Sequence, residues 1–119
     1  MIIREEIKKL EELGRMPDES ENDLNSETID LYAGLLKRIE KPVSWDEALI
    51  LARLFPKYGL FGVEYSLMHV FESIVLHIEE DKYVQLIAEC PSEEWREKLM
   101  YRLDMRAFFP RKIKKPLRD

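Results

Sequence analysis

The sequence predicts an all-α fold of about six helices packed in antiparallel hairpins. Apolar residues recur at intervals of three and four along the whole chain, which is the period of an amphipathic helix. Glycine is rare, with 4 residues among 119, and no segment alternates cleanly between apolar and polar residues, so a β-sheet is not expected. The length fits one domain, residues 1–105, followed by a basic tail, residues 106–119, and the 45% hydrophobic content is enough for a core.

The first helix is expected over about residues 2–13 and is followed by an acidic loop. Its apolar stripe is Ile3, Ile7 and Leu10, and Gly14 is a typical C-terminal stop. Residues 17–26 then form a segment with no basic residue. We expect this loop to be solvated, because it is too polar to lie in a core.

The second and third helices are bounded by clear local signals. The second is predicted to start after Ser26 and to end before Pro42, since a proline disfavours helix in the residue before it. The third has the sharpest start signal, because Ser44 and Glu47 stand at the spacing of a capping box. Pro56 is expected to break this element.

The fourth helix, over about residues 61–78, is predicted to be the longest and the central one. Its apolar stripe is continuous and consists of Val63, Leu67, Val70, Phe71, Ile74, Val75 and Ile78. A short fifth helix should end before Pro91, and Ser92 should cap a sixth that buries Trp95. The capped, tryptophan-bearing starts at Ser44 and Ser92 suggest a short stack of hairpins of the HEAT type. The tail contains two prolines and is expected to be extended.

Charge is unevenly distributed along the chain. Residues 1–105 contain 23 acidic and 13 basic side chains, a net charge of −10, whereas residues 106–119 contain 6 basic and 1 acidic, a net charge of +5. An acidic body argues against direct nucleic-acid binding, which depends on neutralising phosphates. It favours a basic protein partner, because opposite fields accelerate encounter.

The cysteine content and the hydrophobicity profile indicate a cytoplasmic protein. Cys90 is the single cysteine, so neither a disulfide framework nor a four-cysteine zinc site is expected. Residues 1–6 acquire charge at once and do not form the apolar run of a signal peptide. No segment approaches the ~20 apolar residues of a membrane span.

Catalytic chemistry, metal binding and cofactor binding are not expected. His69 and Glu72 stand three apart, but di-metal helical bundles place Glu before His and need further carboxylates. Cys90 precedes a predicted helix, where a thiolate would be stabilised, yet a buried structural role is the better interpretation. An enzyme would instead show a deep pocket that joins at least two of these three residues.

Two charged segments allow both a structural and a functional interpretation. The first is the triplet Glu79, Glu80 and Asp81, together with the acidic loop. Such charge clusters are usually solvated turns, and the functional alternative is an acidic patch that binds a basic partner. The tail interleaves Phe108, Phe109 and Ile113 with basic side chains. Such a pattern can bind RNA or an anionic membrane, but the favoured interpretation is that the tail packs its aromatic side chains against the acidic body.

Two segments resemble a known family. Residues 54–74 contain Phe61-Gly62 followed by Leu67-Met68-His69-Val70-Phe71-Glu72-Ser73, and residues 86–95 form an acidic segment that ends in Trp95. Together they resemble the small helical immunity proteins of bacterial polymorphic and contact-dependent toxin systems, over about residues 44–104. The resemblance implies a stoichiometric inhibitor that binds and blocks one toxin domain. Many toxin domains of such systems are basic nucleases.

On this interpretation the protein is a monomer when free and binds its cognate toxin domain through aromatic and acidic side chains near the central helix. The candidate contact residues are Tyr58, Phe61, Glu64, Tyr65, His69, Glu72, Glu79, Glu80 and Asp81. The alternative function is a helical adaptor or regulator whose basic tail contacts nucleic acid.

Overall fold

The computed structural model describes the backbone of residues 2–118 and the side chains of residues 2–106, and this part of the chain contains helices and no strand. This confirms the all-α prediction. The helices are α1 (Glu5–Leu13), α2 (Ser26–Lys37), α3 (Trp45–Ala52), α4 (Val63–Glu72), α5 (Glu80–Ala88) and α6 (Glu93–Arg118), with a 3₁₀ turn at Val75–His77 between α4 and α5.

The helices pack in two layers. Each odd-numbered helix contacts the even-numbered helix that follows it, which gives the hairpins α1–α2, α3–α4 and α5–α6. Within one layer α1 contacts α3 and α3 contacts α5, and in the other α2 contacts α4. This order agrees with a short stack of helical hairpins. Helices α4 and α6 approach each other less closely than α2 and α4 do, and a groove lies between them.

Most local start and stop signals act as expected. Gly14 ends α1 with φ +82°, a left-handed conformation that suits glycine. The capping box at α3 is present, with the Glu47 amide donating to Ser44 Oγ at 3.2 Å and the Ser44 amide donating to Glu47 Oε1 at 3.0 Å. Helix α2 starts at Ser26, one residue earlier than predicted, and is capped by Asn25.

Helix α4 is shorter than the sequence predicted. It ends at Glu72 instead of about residue 78, and the chain continues as a 3₁₀ turn. The Ser73 hydroxyl donates to the Val70 carbonyl at 2.6 Å and accepts from the Val43 amide at 3.1 Å. A serine that bonds back to its own helix competes with the regular hydrogen-bond ladder, and this explains the early end.

Helix α6 is longer than predicted, because its backbone continues through Arg118. The expectation of an extended tail was therefore wrong. Each proline removes one hydrogen bond of the ladder, and the alanine, leucine, lysine and arginine residues around them favour helix. The predicted packing of Phe108, Phe109 and Ile113 concerns side chains outside those that the structure describes.

The core is one cluster centred on aromatic rings. Phe55 packs against both Phe71 and Trp95, with ring centroids 5.6 and 5.1 Å apart, and Phe71 packs against Tyr83 at 5.5 Å. Cys90 is buried in the same core, as predicted, and burial raises the pKa of its thiol. Within the described chain, no helix combines the length and the apolar character that crossing a bilayer requires.

A partly buried ion pair attaches the N-terminal segment to α3. Glu47 is buried, and its carboxylate accepts 3.0 Å hydrogen bonds from the Arg4 amide and from the guanidinium Nε and Nη2. Burial alone would raise the pKa of this carboxyl. The Arg4 and Ser44 donors outweigh that effect and lower the pKa to about 2.

Candidate functional site

The loop between α3 and α4, residues 58–62, is held by carboxylates from two other segments; we call it the carboxylate-held loop. Asp18 Oδ1 accepts the backbone amides of Tyr58 at 2.7 Å and Gly59 at 3.1 Å. Its other oxygen, Oδ2, accepts the Ser20 hydroxyl at 2.6 Å and the Ser20 amide at 3.2 Å. All four acceptor sites of this carboxylate are therefore used within the chain.

Two glutamates complete the same arrangement. Glu19 Oε1 accepts the Phe61 amide at 2.8 Å, and Glu64 Oε1 accepts the amides of Leu60 at 2.7 Å and Gly62 at 3.0 Å. Five consecutive backbone amides therefore donate to carboxylates. Hydrogen bonds to an ionised acceptor are about twice as strong as neutral ones, so we infer that this loop is rigid.

The burial of Asp18 corrects the sequence interpretation of the acidic loop. The Asp18 side chain is buried rather than solvated, because its partners are amides from a segment forty residues away. The Ser20 hydroxyl, followed by the Gly59, Tyr58 and Ser20 amides, outweighs burial and lowers the pKa of this carboxyl to about 2.

The loop and its neighbours present four aromatic side chains to solvent. Tyr58, Phe61, Tyr65 and Tyr101 are 54%, 66%, 48% and 66% exposed, and they are the exposed aromatic residues among the described side chains. We call these four the aromatic surface. Tyr65 and Tyr101 line one groove, and exposed aromatic side chains that lie together are typical of interaction surfaces.

Phe61 adopts a backbone conformation that is unusual for its type. Its φ angle is +50°, in the left-handed region where a Cβ atom costs about 1–2 kcal/mol. The Glu19 carboxylate on its amide and the bonded amides on either side hold it there. Such strain persists where the surroundings impose it, and it is concentrated at functional sites. Here it accompanies a phenyl ring that projects into solvent.

A groove of about 630 Å³ between α4 and α6 continues from the aromatic surface. Its walls include Tyr65 and His69 from α4 and Tyr101 from α6, with the ring of Trp95 between the helices. The Trp95 indole Nε1 donates to the Tyr58 carbonyl at 2.9 Å, and its ring lies 5.8 Å from that of Tyr65. The buried Trp95 therefore joins the loop, the groove and the core.

The structure separates the predicted contact residues into three groups. Tyr58, Phe61, Tyr65 and His69 are exposed, and Tyr65 and His69 line the groove. Glu79, Glu80 and Asp81 are also exposed, but they lie beyond the far end of α4, a helix of 10 residues and about 15 Å. None of the three lines the groove.

Glu64 and Glu72 are buried, so neither carboxylate is exposed for contact with a partner. Glu64 is bonded to the carboxylate-held loop. Glu72 pairs with Arg102 at 2.7 Å and Arg106 at 3.3 Å, which explains why a carboxylate tolerates the α4–α6 interface.

The residues weighed for metal binding and catalysis have different surroundings in the structure. Among residues 2–106, no group of three histidine, cysteine or acidic side chains is placed to hold a metal ion. Of the three residues weighed for catalysis, His69 lines the groove, whereas Cys90 is buried in the core and Glu72 is ion-paired.

Sequence reasoning missed Asp18, Glu19 and Tyr101. The Asp18–Ser20 contact is an Asx-type turn, for which an aspartate shortly before a serine is a local signal. The long-range bonds of Asp18 and Glu19 have no local signal. No family model matches the chain, and neither the curated proteins nor the solved structures give a match.

Gly59 is required by the close approach of a carboxylate, and its replacement by alanine should destabilise the protein by about 1–3 kcal/mol. A Cβ atom at Gly59 would lie 2.7 Å from Glu64 Oε2 and 3.0 Å from its Cδ, so the Glu64 carboxylate would have to move. A Cβ atom at Gly34, inside α2, would meet nothing within 4 Å, and Gly34→Ala should stabilise by up to about 1 kcal/mol. Urea unfolding of both variants measures the contrast. Equal changes in stability in the two variants would contradict the close approach of Glu64 to Gly59.

Stability should fall in acid as Asp18 and Glu47 become protonated. The pKa of each carboxyl is about 2 in the folded chain, against ordinary values of 3.8 and 4.5. The unfolded chain therefore takes up these protons first, and the contribution present above about pH 5 is lost between roughly pH 5 and pH 2. Urea midpoints from pH 6 to pH 2.5 should decrease, and less steeply in Asp18→Asn. If the urea midpoint of Asp18→Asn fell with pH as steeply as that of the unchanged chain, the assignment of this pH dependence to Asp18 would be contradicted.

Proposed function

We propose that this chain is an immunity-type protein that binds and neutralises a cognate bacterial toxin domain by stoichiometric occlusion. The observation that carries the proposal is the aromatic surface, with Tyr58 and Phe61 displayed on the carboxylate-held loop. The resemblance of residues 44–104 to helical immunity proteins supports the same conclusion. The proposed site of action is the cytoplasm, on a toxin domain before it acts.

The physical basis of the proposed binding is preorganisation. Exposed tyrosine and phenylalanine side chains supply large contact areas with few rotatable bonds, and such residues dominate the binding energy of interfaces. A loop whose five amides are already bonded loses little further freedom when a partner binds. The aromatic surface is therefore suited to tight binding rather than to catalysis.

Charge suits a basic partner such as a nuclease domain. Residues 1–105 carry a net charge of −10. An acidic inhibitor is attracted to a phosphate-binding cleft, and association is expected to be fast and to slow as salt is added.

A growth-rescue experiment tests the proposal. The toxin-like C-terminal domain encoded immediately upstream is expressed with and without this chain. Arrest by the domain alone and recovery on co-expression are the expected results. An upstream region that encodes no such domain, or arrest that persists although the chain is expressed in soluble form, would contradict the proposal.

A nucleic-acid adaptor is the second candidate, favoured by the continuation of α6 as one helix through six basic residues from Arg106 onwards. It predicts that truncation after Arg106, which keeps the pair with Glu72, abolishes function. The toxin-binding proposal predicts that the same truncation still rescues growth, because the aromatic surface is intact.

A further inference from the structure

The groove between α4 and α6 already holds a cation, and the cation belongs to the chain itself. The ammonium of Lys98 lies 4.8 Å from the centroid of the Trp95 ring, within the range of a cation–π contact. The same ammonium is 3.7 Å from Glu94 Oε2. Lys98 and Glu94 both line the groove. One face of a tryptophan and one carboxylate together therefore form a position that suits a positive charge.

This position is built on a fixed ring and covered by a flexible side chain. The Trp95 indole is bonded to the Tyr58 carbonyl and packed against Phe55 and Tyr65, so its orientation is set by the fold. Lys98 instead sits on the surface with 41% of its side chain exposed. An exposed lysine–glutamate pair at this spacing contributes little to stability, and the cation that replaces Lys98 makes the same cation–π contact, so displacing Lys98 costs little.

The remaining charges of the groove favour a cation over an anion. Glu97 also lines the groove, together with Glu94. The positive charge of Arg102 is matched by the buried carboxylate of Glu72. Once Lys98 moves away, two carboxylates face the groove over an aromatic floor.

We infer that the groove binds an arginine side chain of a protein partner, which replaces Lys98 over Trp95 and pairs with Glu94 and Glu97. Arginine fits better than lysine because its planar guanidinium stacks on an aromatic face and can pair with carboxylates along its edge. This inference rests on the proposed function and names the contact chemistry of its binding surface. Tyr65 and Tyr101, on the two walls, would enclose the stem of the side chain.

An NMR titration of the full chain with a capped Gly-Arg-Gly-Arg-Gly peptide tests the inference. Shifts centred on the Trp95 indole N–H are expected, together with shifts of Tyr65 and Tyr101. Lys98→Met keeps the apolar stem and removes the competing cation, so it should tighten peptide binding about three-fold or more. Replacing both Glu94 and Glu97 with glutamine should weaken it by a similar factor.

The controls change the same charges on α1. Lys8→Met and the double variant Glu11→Gln/Glu12→Gln alter exposed side chains outside the groove and should leave the titration unchanged. Equal behaviour of Lys98→Met and Lys8→Met, or shifts spread over the whole acidic surface, would overturn the inference. A failed growth rescue would contradict the proposed toxin binding but would not change the result of the peptide titration. A flat titration beside a successful rescue would overturn the arginine groove alone.

Discussion

Asp18→Ala is expected to lower the free energy of unfolding by about 3 kcal/mol, a large share of the 5–15 kcal/mol typical of a domain. The carboxylate accepts four hydrogen bonds, two of them from the Tyr58 and Gly59 amides. Its removal leaves these donors unpaired next to the core, and each unsatisfied buried group costs about 1–3 kcal/mol. Urea unfolding at pH 7 measures the change.

The matched control is Asp23→Ala in the same acidic loop. Asp23 is exposed, so its removal should change stability by less than about 0.5 kcal/mol. Amide exchange adds a local readout, because Tyr58 and Gly59 should exchange faster in Asp18→Ala than in the unchanged chain. Similar destabilisation by the two variants would contradict the assigned role of Asp18.

Phe61→Ala is expected to weaken binding of the toxin domain by about 100-fold, or roughly 2.7 kcal/mol, without loss of stability. The ring is 66% exposed, so it contributes little to the core, and the backbone of residue 61 remains held by Glu19. Loss of an aromatic anchor at the centre of an interface typically has an effect of this size. Calorimetry of binding and thermal unfolding measure the two quantities.

Leu76→Ala is the control for Phe61. Leu76 is 83% exposed in the 3₁₀ turn that follows α4 and is not one of the four residues of the aromatic surface. The variant therefore removes an exposed apolar side chain without changing that surface. Affinity should be unchanged in this variant. A loss of affinity in Leu76→Ala and none in Phe61→Ala would contradict the assignment of the interface to the aromatic surface.

Local signals in the sequence predicted the parts of the fold that depend on near neighbours. The capping box of Ser44 and Glu47, the stop at Gly14 and the cap at Ser92 each involve residues within four positions. The apolar period likewise predicted the buried side of α6, with Trp95 and its helical neighbours in the core. These features could be predicted because their physical cause lies within one helical turn.

The contacts that shape the site join residues that are far apart in the sequence. Asp18 and Tyr58 are separated by 40 positions, Arg4 and Glu47 by 43, and Glu72 and Arg102 by 30. Composition counts such carboxylates as surface charge, yet Asp18, Glu47, Glu64 and Glu72 are all buried. No local pattern distinguishes Asp18 and Glu72 from solvated acids, because the Tyr58 amide and the Arg102 guanidinium that bond them come from distant segments.

The candidate site shows the same division. Tyr58, Phe61 and Tyr65 were predicted from their position at the start of the central helix, and the structure exposes all three. Tyr101 was missed because it joins them through the packing of α6 beside α4, which periodicity alone does not define. The role of these residues in partner binding stays a prediction.

Oxidative footprinting of the chain, free and mixed with the upstream toxin domain, tests the central claim most directly. Hydroxyl radicals modify exposed aromatic side chains, and the free chain offers Tyr58, Phe61, Tyr65 and Tyr101. The account predicts that all four are protected in a 1:1 complex while Leu76 stays reactive. Unchanged reactivity of these four rings, or protection confined to the region of Glu79–Asp81, would contradict it.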